Sequence, residues 1–355
     1  MSTSTTIQKP AVKPDPPAPK KQIDVRDLLV RYGFIAITIL FFLYFSLTIE
    51  SFRQSSTFFS MLKFTAPVAI AGLGVTVTMV VGGLDLSVGS TVGMSVTVAA
   101  MTMVIYAQQG SVAFIAVILA GAVIGAVNGL LIVVMKIPDL LATLATMFLV
   151  QGLKLLPVDG QSVSSGLILR DGTVAPGKFT PGFLEINRGE IGPVPYPVVI
   201  FLVLTVITWF FLSRTKWGRV MYAIGSNPEA ARLAGARVGR YKAAAYMISG
   251  VYASIAGLIL ASRIGQGDIS AGNSILLDAV AVALVGTSVL GANKANAFGT
   301  ALGAVLIGIL LTGTTMMNFP YYSQDVAKGF VLLVALVFSF TLSLKKQRHV
   351  AAVPL

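Results

Sequence analysis

What most constrains this chain is a train of apolar runs, each near the length needed to cross a lipid bilayer, separated by short polar joints. Ten can be marked out, at 28–49, 61–81, 87–106, 112–135, 140–155, 197–212, 243–261, 275–290, 297–316 and 326–342. About twenty apolar residues in helical form span the hydrocarbon core, where every backbone polar group must be satisfied within a helix or a closed barrel. The runs are long and lack polar alternation, so helices are the reading. Charged residues are only 11% of the chain and mean hydropathy is +0.84, against roughly 25% charged residues in soluble domains. The fold class is therefore an all-α polytopic membrane protein of about ten transmembrane helices.

Residues 1–25, rich in Pro, Ser, Thr and Lys, bury too little apolar surface to offset the entropy of ordering and read as a disordered tail. The first apolar run ends at Glu50-Ser51-Phe52, which is no small-x-small cleavage site, so it stays as a helix. Ten crossings place both termini on one side, and most of the 26 lysines and arginines then fall on that side. By the positive-inside rule the termini are cytoplasmic. The domain reading is a single transmembrane unit over 26–345, with an outer loop at 156–196, and a cytoplasmic tail at 346–355. The net charge of +12 is absorbed by this topology and requires no nucleic acid; the partner surface it implies is membrane lipid.

Five runs on each side of the central basic loop would make the halves inverted repeats. Each half carries a glycine-rich interruption, "VVGGLDLSVGSTVG" and "LVGTSVLGANKANAFGTALG", the pattern of broken helices. Within the outer loop, "LILRDGTVA" places Asp171-Gly172 between short apolar runs, which predicts a two-residue hairpin.

Much chemistry is excluded. There is no cysteine, and the one histidine, His349, lies in the C-terminal tail. Thiol catalysis, zinc sites and serine–histidine triads have no basis here, and the acids form no catalytic pair. No GxxxxGK[ST] run is present, so ATP and its magnesium would be bound by a partner chain. No catalytic, metal or cofactor-binding residue is assigned.

One stretch is compact and basic amid the oil: "GSNPEAARLAGARVGRYK", from Gly225 to Lys242. Ser226 or Asn227 can cap a helix, Pro228 suits its first position, and Glu229 complements the positive end of its dipole. Ala230, Ala231, Arg232 and Leu233 favour helix, Gly235 is a left-handed terminator, and Arg237 follows. The segment at 226–236 reads as a helix of about two turns on the cytoplasmic face.

The spacing Glu229-Ala230-Ala231, three residues, Gly235 resembles the EAA---G signature of bacterial ABC-importer permeases. "GGLDLSVGS", "NGLLIVVMKIPDLLATLATMFLVQGL", "GRVMYAIGSNPEAARLAGARV" and "YMISGVYASIAGLILASRIGQG" resemble ribose-type (monosaccharide) ABC permeases over about nine-tenths of the chain beyond the N-terminal tail. Two departures stand out: no Ile-x-Leu-Pro follows Gly235, and "GTSVLGANKANAFG" replaces a more glycine-rich family run. The resemblance implies a permease subunit in the bacterial inner membrane, one of two copies or sisters in a dimer. A cytoplasmic ATPase subunit would drive it and a periplasmic substrate-binding protein would feed it. It also implies that Glu229, Ala230, Ala231, Arg232, Gly235 and Arg237 form the ATPase-coupling helix, and that the subunit is no enzyme.

Candidates for the translocation path are Asp85, Ser87, Ser90, Asn128, Thr143, Gln151, Asp278 and Thr287. A carboxylate deep in a membrane costs about 2.5–3.5 kcal/mol on insertion scales, so it faces a cavity or a partner. Asp85 has two readings, a turn that caps the next helix or a wall of the path, and Asp278 is either paired with a neighbouring helix or functional. Polar residues in such helices commonly bond helix to helix. Gly121, Gly125 and Gly129 share one helix face and read as a close-packing seam, the dimer interface included. An ion-coupled secondary transporter is the rival reading from another class; nucleoside, branched-chain amino acid and autoinducer importers are neighbouring ones.

Overall fold

The computed structural model describes residues 25–288, 294–320, 322–330 and 333. Nine of the ten apolar runs are helices: α1 Val25–Thr48, α2 Ser55–Val80, α3 Val88–Ala100, α4 Gly110–Val133, α5 Asp139–Leu155, α7 Tyr196–Arg214, α10 Val238–Ile264, α11 Asn273–Ser288 and α12 Ala297–Met316. A π-helical turn, Met101–Ile105, prolongs α3. Seven of these helices, among the residues whose side chains are described, are long and apolar enough to cross a membrane; Tyr32–Thr48 within α1 and Asn273–Thr287 within α11 are shorter apolar stretches of that same set. The tenth run is helical over the described residues 322–330 and at Leu333, and its other residues, like both tails and residues 289–293, lie outside the described ones.

Local chemistry sets the breaks. Pro138 precedes α5, Pro197 occupies its place in the first turn of α7, and Gly265, at φ +70°, ends α10 in the left-handed conformation. Helix α10 is the central post, packed on α4, α2 and α3, while α11 lies between α12 and α2. Ile70, Leu73, Val92, Val96, Ile259 and Val282 are buried where these helices meet. Phe34 and Phe45 of α1, with Phe52 in the 3-10 turn that follows it, share a buried cluster with Leu306 and Leu310 of α12.

The glycine seam of α4 is an internal one. A Cβ on Gly121 would stand 2.4 Å from the Gly250 carbonyl, one on Gly125 2.4 Å from the Tyr246 carbonyl, and one on Gly129 3.0 Å from the Ala243 Cα. All three partners belong to α10, so this face is occupied within the chain and is no dimer interface. Without water to drive apolar association, such small-residue contact is how membrane helices gain packing.

The outer loop differs from its expected form in two ways. Ile168 does pair with Val174, but Leu169 N–H bonds to Thr173 O and Gly172 N–H to Leu169 O. The loop is thus Arg170-Asp171-Gly172, three residues with Gly172 at φ +79°, rather than two. Thr173 donates its hydroxyl and its amide to Asp171, holding that carboxyl below its ordinary range. The same loop also contains a helix, α6 Pro181–Arg188, and a second hairpin, β1 Glu190–Ile191 with β2 Val194–Pro195, turning on Gly192.

Candidate functional site

Two helices carry the basic segment: α8 Lys216–Ser226 and α9 Pro228–Leu233. Thr215 caps α8, accepting from Gly218 N at 3.1 Å. Asn227 caps α9, its Oδ1 accepting from the amides of Glu229 and Ala230 at 3.1 and 3.0 Å, and Pro228 follows at the first helical position. Gly235, at φ +87°, reverses the chain. Ala231 is buried against α8 and α10, whereas Leu233 is 82% exposed and Glu229 and Arg232 form an ion pair on the open surface. The result is a small charged knob with one unpartnered leucine.

Helix α8 anchors that knob to both halves of the helical body. The end of α8 meets the end of α2 at Gly225 and Gly82, whose backbones touch. On the other side, the Tyr222 hydroxyl donates to the Ala295 carbonyl at 2.8 Å, just before Asn296 caps α12 through Gly299 N at 2.7 Å. Burial pushes the Tyr222 phenol up, so it remains a donor. The α8–α9 unit therefore rests on both glycine-rich interruptions noted in the sequence.

The first interruption is a buried polar knot. Between α2 and α3, Asp85 Oδ1 accepts from Ser87 N at 2.9 Å and Ser87 Oγ at 2.6 Å, and Oδ2 accepts from Ser249 Oγ of α10 at 2.7 Å. Asn128 Nδ2 of α4 donates to Ser87 Oγ at 2.8 Å, and Ser90 Oγ to Ser87 O at 2.8 Å. Thr143 of α5 bonds back to Asp139 O at 2.9 Å and reaches Leu84 O at 3.3 Å. Asp85, Ser87, Ser90, Asn128 and Thr143 are all buried. Asp85 thereby ties the turn to α10, while Ser87 ties it to α4 and the Leu84 carbonyl to α5.

The other path candidates lie apart. Gln151 sits near the opposite end of α5, half-buried. Asp278 is paired with Lys328 at 3.0 Å, the interhelical bond that one of its readings foresaw. Thr287 bonds back to Leu284 O at 2.7 Å. Sequence reasoning missed Ser249, Tyr222 and the Lys242–Asp139 pair at 3.2 Å, whose carboxylate lies against Gly83 at the start of the knot.

A bundle of membrane-length helices with a buried polar break and an external helical knob, and no metal-binding cluster among the described residues, has the architecture of a transport permease. Residues 57–338 match the family described as branched-chain amino acid transport system / permease component, and the chain belongs to it. It is similar to the ribose import permease protein of Haemophilus influenzae, 31% identical over 90% of this chain and 96% of the relative. The ribose import permease protein of Bacillus subtilis is 33% identical over 90% and 95%. The xylose transport system permease protein of Escherichia coli K12 is 30% identical over 86% and 90%. No solved structure matches. The chain is a transporter's membrane component, not an enzyme.

Proposed function

We propose that the chain is the membrane subunit of a binding-protein-dependent ABC importer that carries a monosaccharide such as ribose or xylose inward. The observation that carries this reading is the end-to-end similarity to ribose and xylose permeases, which includes the α9 region. A cytoplasmic ATPase binds ATP and magnesium, a periplasmic protein delivers the sugar, and a second permease copy completes the channel. The membrane is the bacterial inner membrane, with both termini cytoplasmic and the 156–196 loop periplasmic. Seven basic residues between Arg214 and Lys242 then lie inside.

In this reading α9 is the contact with the ATPase. Its exposed Glu229, Arg232 and Leu233 meet the ATPase surface, and closure of the ATPases pushes on it. Because α9 is joined to α8 through Asn227 alone and packs against it, the push arrives at Gly82 and Ala295 together and shifts α2, α3 and α12 against their neighbours. That is the rocking of packed elements by which alternating access proceeds. Asp85 holds the moving turn to α10, and Ser87 holds it to α4, so the role of Asp85 here is a joint and not a sugar contact.

The test is reconstitution with the neighbouring ATPase and binding protein in proteoliposomes, following labelled ribose and xylose. ATP-dependent uptake that withstands an uncoupler supports the importer. Uptake that ignores ATP and collapses with the uncoupler would instead establish ion coupling.

A further inference from the structure

Lys154 is the one lysine of α5, and at 3% exposure it is buried near the end of that helix, among apolar residues. Its ammonium stands beside the backbone of α3: a Cβ on Gly93 would be 2.9 Å from Nζ and 2.5 Å from the Ala271 carbonyl. Among the described residues it forms neither a hydrogen bond nor an ion pair. Asp268 is the carboxylate whose field reaches it; its Oδ1 accepts from the amide and hydroxyl of Ser270, both at 2.8 Å, and it makes no hydrogen bond or ion pair to the ammonium. A lysine buried to this degree with no hydrogen bond, and with a single carboxylate at a distance, calls for oxygen atoms from elsewhere.

The side chain lines a cavity of about 430 Å³ between α5 and the start of α11. Gln151 and Asn273 line it too, and Met147, Ile269 and Leu276 supply apolar wall. Ammonium and amide donors facing aliphatic side chains suit a molecule with hydroxyl oxygens on its rim and C–H bonds on its faces. The cavity lies at the opposite end of α5 from Asp139 and the α8–α9 unit, so it is at the periplasmic mouth in the topology proposed above.

We propose that Lys154, Gln151 and Asn273 form an entry site that receives the neutral sugar as it leaves the binding protein. The ammonium and the two amides donate to its hydroxyls, and Met147 and Leu276 pack against its C–H face. This rests on the sugar-importer reading. A pyranose or furanose fits the volume, and donors of modest number hold it loosely enough to move on.

The chain's lack of cysteine allows a direct test in the full complex. Asn273 is exposed, so Asn273→Cys can be labelled by a membrane-impermeant maleimide, with ribose and xylose as probes. The site predicts that sugar slows labelling several-fold, and that Lys154→Met cuts uptake tenfold or more at equal membrane level while Lys154→Arg recovers part of it. Labelling indifferent to sugar, or wild-type uptake by Lys154→Met, would overturn the entry site while leaving the importer standing. Loss of binding-protein capture by Lys154→Met would overturn it as well, assigning the ammonium to docking. If the wild-type complex moves neither sugar, the importer reading itself falls.

Discussion

A methyl group on Gly225 would stand 2.1 Å from the carbonyl oxygen of Val80, so the end of α8 meets the end of α2 backbone to backbone. Neither side can yield by rotating a side chain. Gly225→Val must therefore part the two helices, at a cost of about 1–3 kcal/mol for overpacking. The helical body, held mainly by α10, survives this. The expected outcome is a variant that reaches the membrane and binds its ATPase but hydrolyses ATP without matching sugar uptake. Normal coupling in proteoliposomes would show that force does not pass through this contact.

Gly235 offers the opposite test, because nothing lies within 4 Å of a Cβ built there and only its φ of +87° opposes a side chain. Gly235→Ala costs about 1–2 kcal/mol of left-handed strain, whereas a β-branched residue is a genuine outlier. Gly235→Val is expected to redirect α9 and lose the ATPase in copurification, with Gly235→Ala intermediate.

Glu229→Lys removes a surface ion pair with Arg232, worth roughly 0.5 kcal/mol or less, and reverses charge on the knob. Insertion should be unaffected, and copurification of the ATPase from native membranes should fail. Retention of the ATPase at wild-type yield would take Glu229 out of the contact.

What was legible in the sequence followed local rules. Asn227, Pro228 and Gly235 act within a few residues of themselves, so the short capped helix can be read directly, and Gly121, Gly125 and Gly129 declare a common face by spacing alone. Which helix covers that face could not be read, since α10 begins more than a hundred residues later. Ser249 was illegible for the same reason: one hydroxyl in an apolar helix looks like any other until a carboxylate 164 residues away is seen against it. The three-residue turn at Gly172 was misread because Asp-Gly serves both hairpin lengths. Lys154 did carry a signal, a charge inside an apolar run, but its closeness to the outer loop disguised it.

Asp85 distinguishes a joint from a pathway wall. Its carboxylate accepts three hydrogen bonds, from Ser87 N, Ser87 Oγ and Ser249 Oγ. Asp85→Leu leaves those donors buried and unmet at about 1–3 kcal/mol each. A large fall in the thermal stability of the detergent-purified chain is expected, while Ser249→Ala costs about 1 kcal/mol. Because the two groups share one bond, Asp85→Leu combined with Ser249→Ala should be less destabilising than the sum of the single changes. A wall of the sugar path predicts the reverse: stability near wild type and a defect confined to uptake.

Gly121 is the tightest point of the α4–α10 seam, its added Cβ falling 1.6 Å from Ser254 Oγ and 2.4 Å from the Gly250 carbonyl. The hydroxyl can be removed but the carbonyl cannot, so Ser254→Ala should rescue Gly121→Ala only in part. Gly121→Leu is expected to abolish accumulation of folded protein, read by fluorescence-detected size exclusion of a tagged chain. A dimer interface at this face would give a different result, a well-folded single permease released from its partner. The internal seam predicts loss of the folded chain itself, because α10 is the post on which α2, α3 and α4 all lean.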